Sequence, residues 1–464
     1  MHNSRAMHVS KLLTPDLKTM LLEEPEQLKD ALSEVHPEDI AAVMVDELPP
    51  EQAAALLEHL PVAQAAEVLE RLPEDLRTAM LALWKPETSA EVLTEMAADD
   101  RADLINELPE LLRESILTEL QRNEPEVAEE TRVLASYGPD TAGGIMTTEF
   151  LALGPGMSCE KAIAEVRRLA KEQNPELIYS LYVLDAGRLA GVLSLRDLIL
   201  GEPSAPIAIY MVDGIVQVSP ETDQEEVART FAKYDLAAVP VVDAQGQMLG
   251  VVTVDDVVDV VIEEANEDAQ KMAGVVPVDK AYFEIGFTTF VRSRVTWLVA
   301  LFFGELLTAN VMRKYESEIA ALIDLVIFIP LIISSGGNSG SQSSSLVIRA
   351  LALGEITPGD WLRVLWRELR VGIALGLLLS VVGFARTFLL GQAAHPLIMG
   401  IVVATSLVAV VTLGTLVGAL MPLLIKRIGL DPAVSSTPFV ASLVDVFGLI
   451  VYFTVSRIVL GMLL

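Results

Sequence analysis

The sequence predicts a multidomain chain in four parts. Residues 1–135 read as an α-superhelical domain, 136–262 as a duplicated α/β module, 263–287 as an acidic connecting helix with its linker, and 288–464 as an all-α membrane domain of five spans. Three observations carry this. Prolines recur in twelve-residue steps near the front, a strand–turn–strand–helix pattern occurs twice in the middle, and long apolar runs occur only after residue 290. Charge divides at the same place. The 464 residues hold 64 acidic and 33 basic side chains, a net −31, yet from Thr288 onward 12 basic residues face 9 acidic ones. The first 287 residues therefore carry −34. So acidic a front part excludes nucleic acid as a partner, because phosphates need a basic face. The single Cys159 excludes a disulfide framework and a cysteine-based metal cluster. The opening stretch MHNSRAMHVSKLL has no apolar core of signal-peptide length, so the N-terminus is expected in the cytoplasm.

In the front part, Pro25, Pro37, Pro49, Pro61, Pro73 and Pro109 are spaced by multiples of twelve; the two slots without proline are Lys85 (Pro86 comes one step late) and Ala97. Leu48, Leu60, Leu72 and Leu108 precede their prolines. Proline is tolerated in a first helical turn, and acidic residues just after it suit the positive end of the helix dipole. Each unit thus reads as a short helix, and stacked units give a superhelix. Asp99, Asp100 and Asp103 form an acidic cluster, for which a solvated face is the simplest account.

In the middle part, the stretch from Tyr182 to Asp197 parallels that from Val239 to Asp256: strand, turn, strand, then a helix begun through Ser194 or Thr253. Capping of those helices explains the two hydroxyls without a ligand. The helix after Thr253 carries Asp255, Asp256, Asp259, Glu263, Glu264, Glu267 and Asp268 before its first cation, Lys271. Positions 256, 259, 263 and 267 share a face, where like charges cost a few tenths of a kcal/mol each. Cations between this stripe and neighbouring acidic surfaces would relieve the repulsion.

Spans are expected near 295–312, 319–346, 371–392, 396–424 and 433–463, each close to the length a bilayer needs. With the N-terminus inside, the cytoplasmic loops 347–370 and 425–432 hold Arg349, Arg363, Arg367, Arg370, Lys426 and Arg427, as the positive-inside rule requires, and the C-terminus lies outside. Glu305, Asp324 and Asp445 fall within spans, where carboxylates are costly and face a bundle interior or a water-filled path. From Pro330 to Ser345 the second span turns small and polar, which predicts irregular backbone with exposed amides and carbonyls, or else glycine-mediated helix packing. Asp431 and Asp445 are fourteen residues apart, close to four helical turns, so one helix face can carry both. No nucleophile–base pair or histidine cluster stands out, so an enzyme is not expected. Hard oxygen ligands suit Mg²⁺, Ca²⁺ or Mn²⁺.

The run Pro330 to Gln342, with its Gly336-Gly337-Asn338 core, together with Asp431-Pro432-Ala433 and Asp445, resembles the MgtE family of magnesium channels along the whole chain. The duplicated module resembles a tandem CBS pair. What the MgtE resemblance implies is a homodimer in the cell membrane with one pore on its two-fold axis. Asp445 would select the ion, with Asp431, Asn338, Gly336 and Gly337 as further pore residues. It further implies that the connecting helix plugs the pore. Regulatory Mg²⁺ would be held by Asp99, Asp103, Asp223, Asp235, Asp256, Asp259, Glu264, Glu267 and Asp268. The CBS resemblance implies an ATP site at Ser194, Arg196, Asp197 and Tyr179, without hydrolysis. No obligatory protein partner is evident. The expected function is Mg²⁺ uptake, closed by intracellular Mg²⁺. Two alternatives stay open: the same architecture passing Co²⁺ or Mn²⁺, and a membrane-anchored nucleotide sensor.

Overall fold

The computed structural model describes residue 32 and residues 35–172, 178–278, 280, 282, 283, 285–316, 324–390 and 395–463. Pro25 lies outside the described residues, as does the side chain of Asp324. The chain divides into two compact units, residues 1–261 and 262–464.

The first unit opens with short helices in the expected rhythm. They are α1 (Pro37–Glu47), α2 (Pro50–Glu58), α3 (Val62–Glu70), α4 (Glu74–Leu83), α5 (Pro86–Thr94), α6 (Ala98–Glu107), α7 (Glu110–Asn123) and α8 (Pro125–Leu134). Pro49, Pro61, Pro73 and Pro109 each occupy the residue just before a helix. Lys85 and Ala97 take the same place without a proline. The period therefore rests on more than proline: apolar positions such as Leu56, Leu57, Val68, Leu69, Leu93 and Leu104 bury one face of every helix in a shared core. Arg101 of α6 is 2% exposed, which is rare for a cation and requires partners. It donates to Glu130 at 2.7 Å, to Thr131 Oγ1 at 2.8 Å and to the carbonyl of Met96 at 3.0 Å, tying α6 to α8.

Next comes the duplicated module. Its first copy holds β1 (Leu151–Leu153), α9 (Cys159–Glu172), β2 (Ser180–Asp185), β3 (Arg188–Ser194) and α10 (Leu195–Leu200); β1 runs parallel to β2, and β2 antiparallel to β3. In the second copy α11 (Gln224–Tyr234) precedes the antiparallel pair β4 (Ala238–Val242) and β5 (Met248–Thr253). Gly187 and Gly246 sit in the two hairpin turns with φ of +81° and +79°, where a side chain would strain the backbone. From Thr253 the chain enters α12 (Val254–Met272), which runs on into the second unit.

Five long helices build the rest of that unit: α13 (Phe287–Lys314), α14 (Asp324–Ala352), α15 (Trp361–Leu390), α16 (Pro396–Arg427) and α17 (Thr437–Leu463). By length and composition α13, α15, α16 and α17 can cross a membrane. Helix α14 has 29 residues, about 44 Å of rise, but its polar middle keeps it below the apolarity of the other four. The expected break in α14 does not occur. The run from Pro330 to Ser345 is helical throughout, so its amides and carbonyls are spent on helix bonds. Its glycines serve close packing instead. A Cβ on Gly414 would lie 2.2 Å from the Gly336 carbonyl oxygen, and one on Gly418 would lie 2.0 Å from that of Gly340. The backbones of α14 and α16 thus touch at two points one turn apart. Around them Ile332, Val403, Val410, Leu449 and Phe453 form the apolar core.

A second expectation also fails. Asp431 and Asp445 do not share a helix, because α17 begins only at Thr437 and Pro438 stands in its first turn. Asp431 instead caps a short 3₁₀ turn, Pro432–Val434, through the amide of Ala433 at 2.8 Å.

Candidate functional site

Three groups of the predicted residues come together, two in the first unit and one in the second. In the first unit, α6 presents Asp99, Asp100 and Asp103 in its first turns, while the start of α12 presents Asp255, Asp256 and Asp259. Asp100 lies within Coulombic reach of Asp255 and Asp259, and Asp103 of Asp256, whereas Asp99 is buried and within reach of Arg101. Burial, then Asp100, Glu107 and Asp256, push the Asp103 carboxyl up to about 7 against the pull of Arg77. Asp256 is pushed to about 6 by burial and by Asp255 and Asp100, against its hydrogen bond from Thr253. Asp100 is raised too, by burial first, with Arg77 and Arg71 opposing and Asp259 and Asp255 adding to the rise. Asp100 and Asp103 keep solvent-open surface, so water screens part of this crowding. Sequence reasoning gave Asp100 no ligand role and left Asp255 off the ligand list. Their adjacency to Asp99 and Asp256 was the signal available.

The other predicted regulatory residues scatter. Asp223 caps α11 by accepting from the Glu225 amide at 3.0 Å, and Asp235 ends the same helix with φ +52° and ψ +48°. They therefore stand at opposite ends of an 11-residue helix, about 18 Å apart. Glu264, Glu267 and Asp268 lie on the part of α12 that belongs to the second unit. Among the described residues, no three acidic, histidine or cysteine side chains converge to ligate one ion directly. The donor set between α6 and α12 is nevertheless all hard oxygen and carries more negative charge than Arg71 and Arg77 offset. That fits a cation which keeps its own water shell, as Mg²⁺ tends to do.

Also in the first unit, Tyr179, Ser194 and Arg196 line one open crevice of 560 Å³ with Leu195, Ile199 and Leu200. Ser194 Oγ donates to Asp197 at 2.7 Å and accepts the Asp197 amide at 3.0 Å. The capping role is thus present, and the four predicted nucleotide residues do share one place.

In the second unit, Asp445 is half-buried on α17, and its carboxyl faces that of Glu305 from α13 within hydrogen-bonding reach. Ser442, three residues before Asp445, donates to Glu305 at 3.3 Å. Gly336 and Gly337 pack α14 against α17 beside this point: a Cβ on Gly336 would meet Val444 at 3.1 Å, and one on Gly337 would meet Ala441 at 3.8 Å. Asn338 and Gln342, one turn apart, stay exposed on the outward face of α14. The hydroxyls around them turn inward, Ser343 to Glu368 at 2.8 Å and Ser344 to the Ser435 carbonyl at 3.2 Å. Glu368, which sequence reasoning passed over, is thereby drawn to the polar helix; its place in a run of arginines masked it. Asp431 stands apart from Asp445, with one oxygen on its turn and the other 2.7 Å from Lys271 Nζ.

An acidic helical domain, a paired α/β module and a glycine-packed helical unit with carboxylates inside apolar helices define a membrane transporter for cations. Family comparison agrees segment by segment: residues 329–455 match a divalent cation transporter family, MgtE, residues 35–140 match the MgtE intracellular N domain, and residues 142–201 and 207–263 match CBS domains. A magnesium transporter MgtE of Thermus thermophilus is 44% identical over 338 residues, 73% of this chain and 74% of that protein. One from Enterococcus faecalis is 35% identical over 332 residues, 71% of this chain and 72% of that protein. The crystal structure of the soluble part of a magnesium transporter superposes with a TM-score of 0.51 at 32% identity, covering 56% of this chain and 99% of that one. The chain belongs to the MgtE family.

Proposed function

We propose that this protein is a Mg²⁺-selective channel for magnesium uptake, closed by intracellular Mg²⁺. The observation that carries the proposal is Asp445, a half-buried carboxylate on an apolar helix beside the glycine-packed polar run of α14. A carboxylate there costs several kcal/mol unless it serves a water-filled path. The polar pair Asn338 and Gln342 faces outward from the single chain at the same depth, where lipid cannot satisfy it. A second copy of the chain covers it, giving a homodimer with five spans per chain, α14 included. The N-terminus lies in the cytoplasm and the C-terminus outside. Two copies of Asp445, with Asn338 and the packing of Gly336 and Gly337, would then select a hydrated divalent cation by outer-shell contacts.

In this reading the carboxylates of α6 and α12 form the sensor. Regulatory Mg²⁺ between Asp99, Asp100, Asp103 and Asp255, Asp256, Asp259 removes their repulsion and fixes α12 as a plug. Glu264, Glu267 and Asp268 extend the acidic stripe, and Asp223 and Asp235 add to the surrounding field. The Ser194 crevice takes ATP as a bound ligand, with no hydrolysis. The test is Mg²⁺ flux into proteoliposomes holding this chain, with Co²⁺ and Mn²⁺ as competitors, beside Asp445→Asn. Flux in the parent that falls to background in the variant supports the reading. Equal flux in both moves the selecting site away from Asp445, and no divalent flux at low internal Mg²⁺ favours the anchored sensor.

A further inference from the structure

Every acidic residue of α12 precedes Lys271, which stands in the last turn of the helix, within the second unit. Its ammonium lies 2.8 Å from Glu267 and 2.7 Å from Asp431 Oδ2. Burial disfavours the charge, yet the hydrogen bonds that Lys271 donates to Asp431 and Glu267 outweigh it and favour the protonated ammonium. The other oxygen of Asp431 caps the turn that leads into α17. The backbone after Lys271 is clamped as well. Gln270 and Val278 exchange hydrogen bonds at 3.3 and 3.0 Å, and the Val276 amide donates to the Ser293 carbonyl of α13 at 2.9 Å. Between them Gly274 turns the chain at φ +72°; a Cβ there would meet Pro438 at 3.3 Å and Ser436 at 3.5 Å. The end of α12 is thus seated on the N-terminal end of α17, seven residues before Asp445.

We propose that Lys271, shared between Glu267 and Asp431, is an autoinhibitory latch: a cation built into the chain that fastens the end of the connecting helix to the start of the Asp445 helix without any bound metal. It rests on the gated-channel reading above. Mg²⁺ then has only the remaining acidic residues to neutralise, and the latch sets how much Mg²⁺ closure requires. Asp431 acts here as the latch's anchor and not as a group that meets the passing ion.

The full-length protein in planar bilayers tests this, with current recorded against Mg²⁺ on the cytoplasmic side. Lys271→Gln is expected to raise the half-closing Mg²⁺ concentration about fivefold, the low end of typical coupling between sites. Its maximal current at low Mg²⁺ stays at the parent value, and Lys271→Arg restores the parent curve. In an Asp431→Asn background, Lys271→Gln is expected to add no further shift. A parent that conducts and closes beside an identical Lys271→Gln curve overturns the latch alone, as does a shift that persists in full without Asp431. A parent that never conducts overturns the channel reading and the latch with it.

Discussion

The two units use carboxylates in opposite ways. The first crowds Asp100 and Asp103 of α6 against Asp255, Asp256 and Asp259 of α12 where water still reaches several of them, and burial with neighbouring charge raises Asp100, Asp103 and Asp256. Among the described residues of the second, several carboxylates have a hydroxyl or ammonium partner, Glu305 with Ser442, Glu368 with Ser343 and Asp431 with Lys271, and only Asp445 is placed against another carboxyl, that of Glu305. Repulsion in a wet crevice is adjustable by ions and by pH. A carboxylate near hydrocarbon has no such slack, so its neighbours are fixed by packing. The first arrangement suits sensing, and the second suits a path whose geometry must not vary.

Three experiments sharpen or break that contrast. The largest effect is expected from Gly418→Val. Its branched side chain would drive into the Gly340 carbonyl, and a packed core tolerates such overfilling poorly. Loss of monodisperse protein in detergent gel filtration is the expected result; a normal profile would mean that α14 and α16 are not in backbone contact. Next is Arg101→Met. Removing the buried cation leaves Glu130 and Glu149 facing one another, at about 3 kcal/mol on the scale of broken buried pairs. Thermal unfolding followed by circular dichroism should shift down clearly, and an unchanged midpoint would deny the α6–α8 tie its role.

The smallest effect concerns the crevice acids. Asp103 at about 7 and Asp256 at about 6 both stand above their ordinary 3.8. For an acid, a folded value above the unfolded one means the folded state binds more protons between the two. Stability from these groups is therefore greatest near pH 4 and is lost as pH rises through about 7. Without Mg²⁺, Asp103→Asn should raise stability at pH 8 by about 1 kcal/mol after screening, and leave it nearly unchanged at pH 4. Equal effects at both pH values would place Asp103 outside the repulsive set.

Much of this architecture was legible in the sequence, for identifiable reasons. The twelve-residue period survived at Lys85 and Ala97 because apolar spacing, and not proline alone, defines each helix. The duplicated strands were legible because Gly187 and Gly246 punctuate them alike. Helix α14 misled because polarity at membrane depth suggests broken backbone. The competing principle was close approach: Gly336 and Gly340 meet Gly414 and Gly418 from a helix 74 or more residues further on, a pairing that one sequence does not display. Asp431 misled through helical arithmetic, since counting turns to Asp445 assumes a helix that Pro432 and the capped 3₁₀ turn postpone to Thr437. Pairing across 160 residues, as between Lys271 and Asp431, has no local signature at all.

The unbroken course of α14 bears on speed. A filter made of carbonyl rings replaces an ion's water, and Mg²⁺ surrenders water so slowly that each stripping would hold up the next ion. With the carbonyls between Pro330 and Ser345 committed to the helix, what this run offers a passing ion in the channel proposed above is its side-chain amides and hydroxyls. In that proposed channel such a lining would ask for no exchange of inner water, so transit time would be governed by diffusion and electrostatics, and the chemistry of dehydration would drop out of the clock.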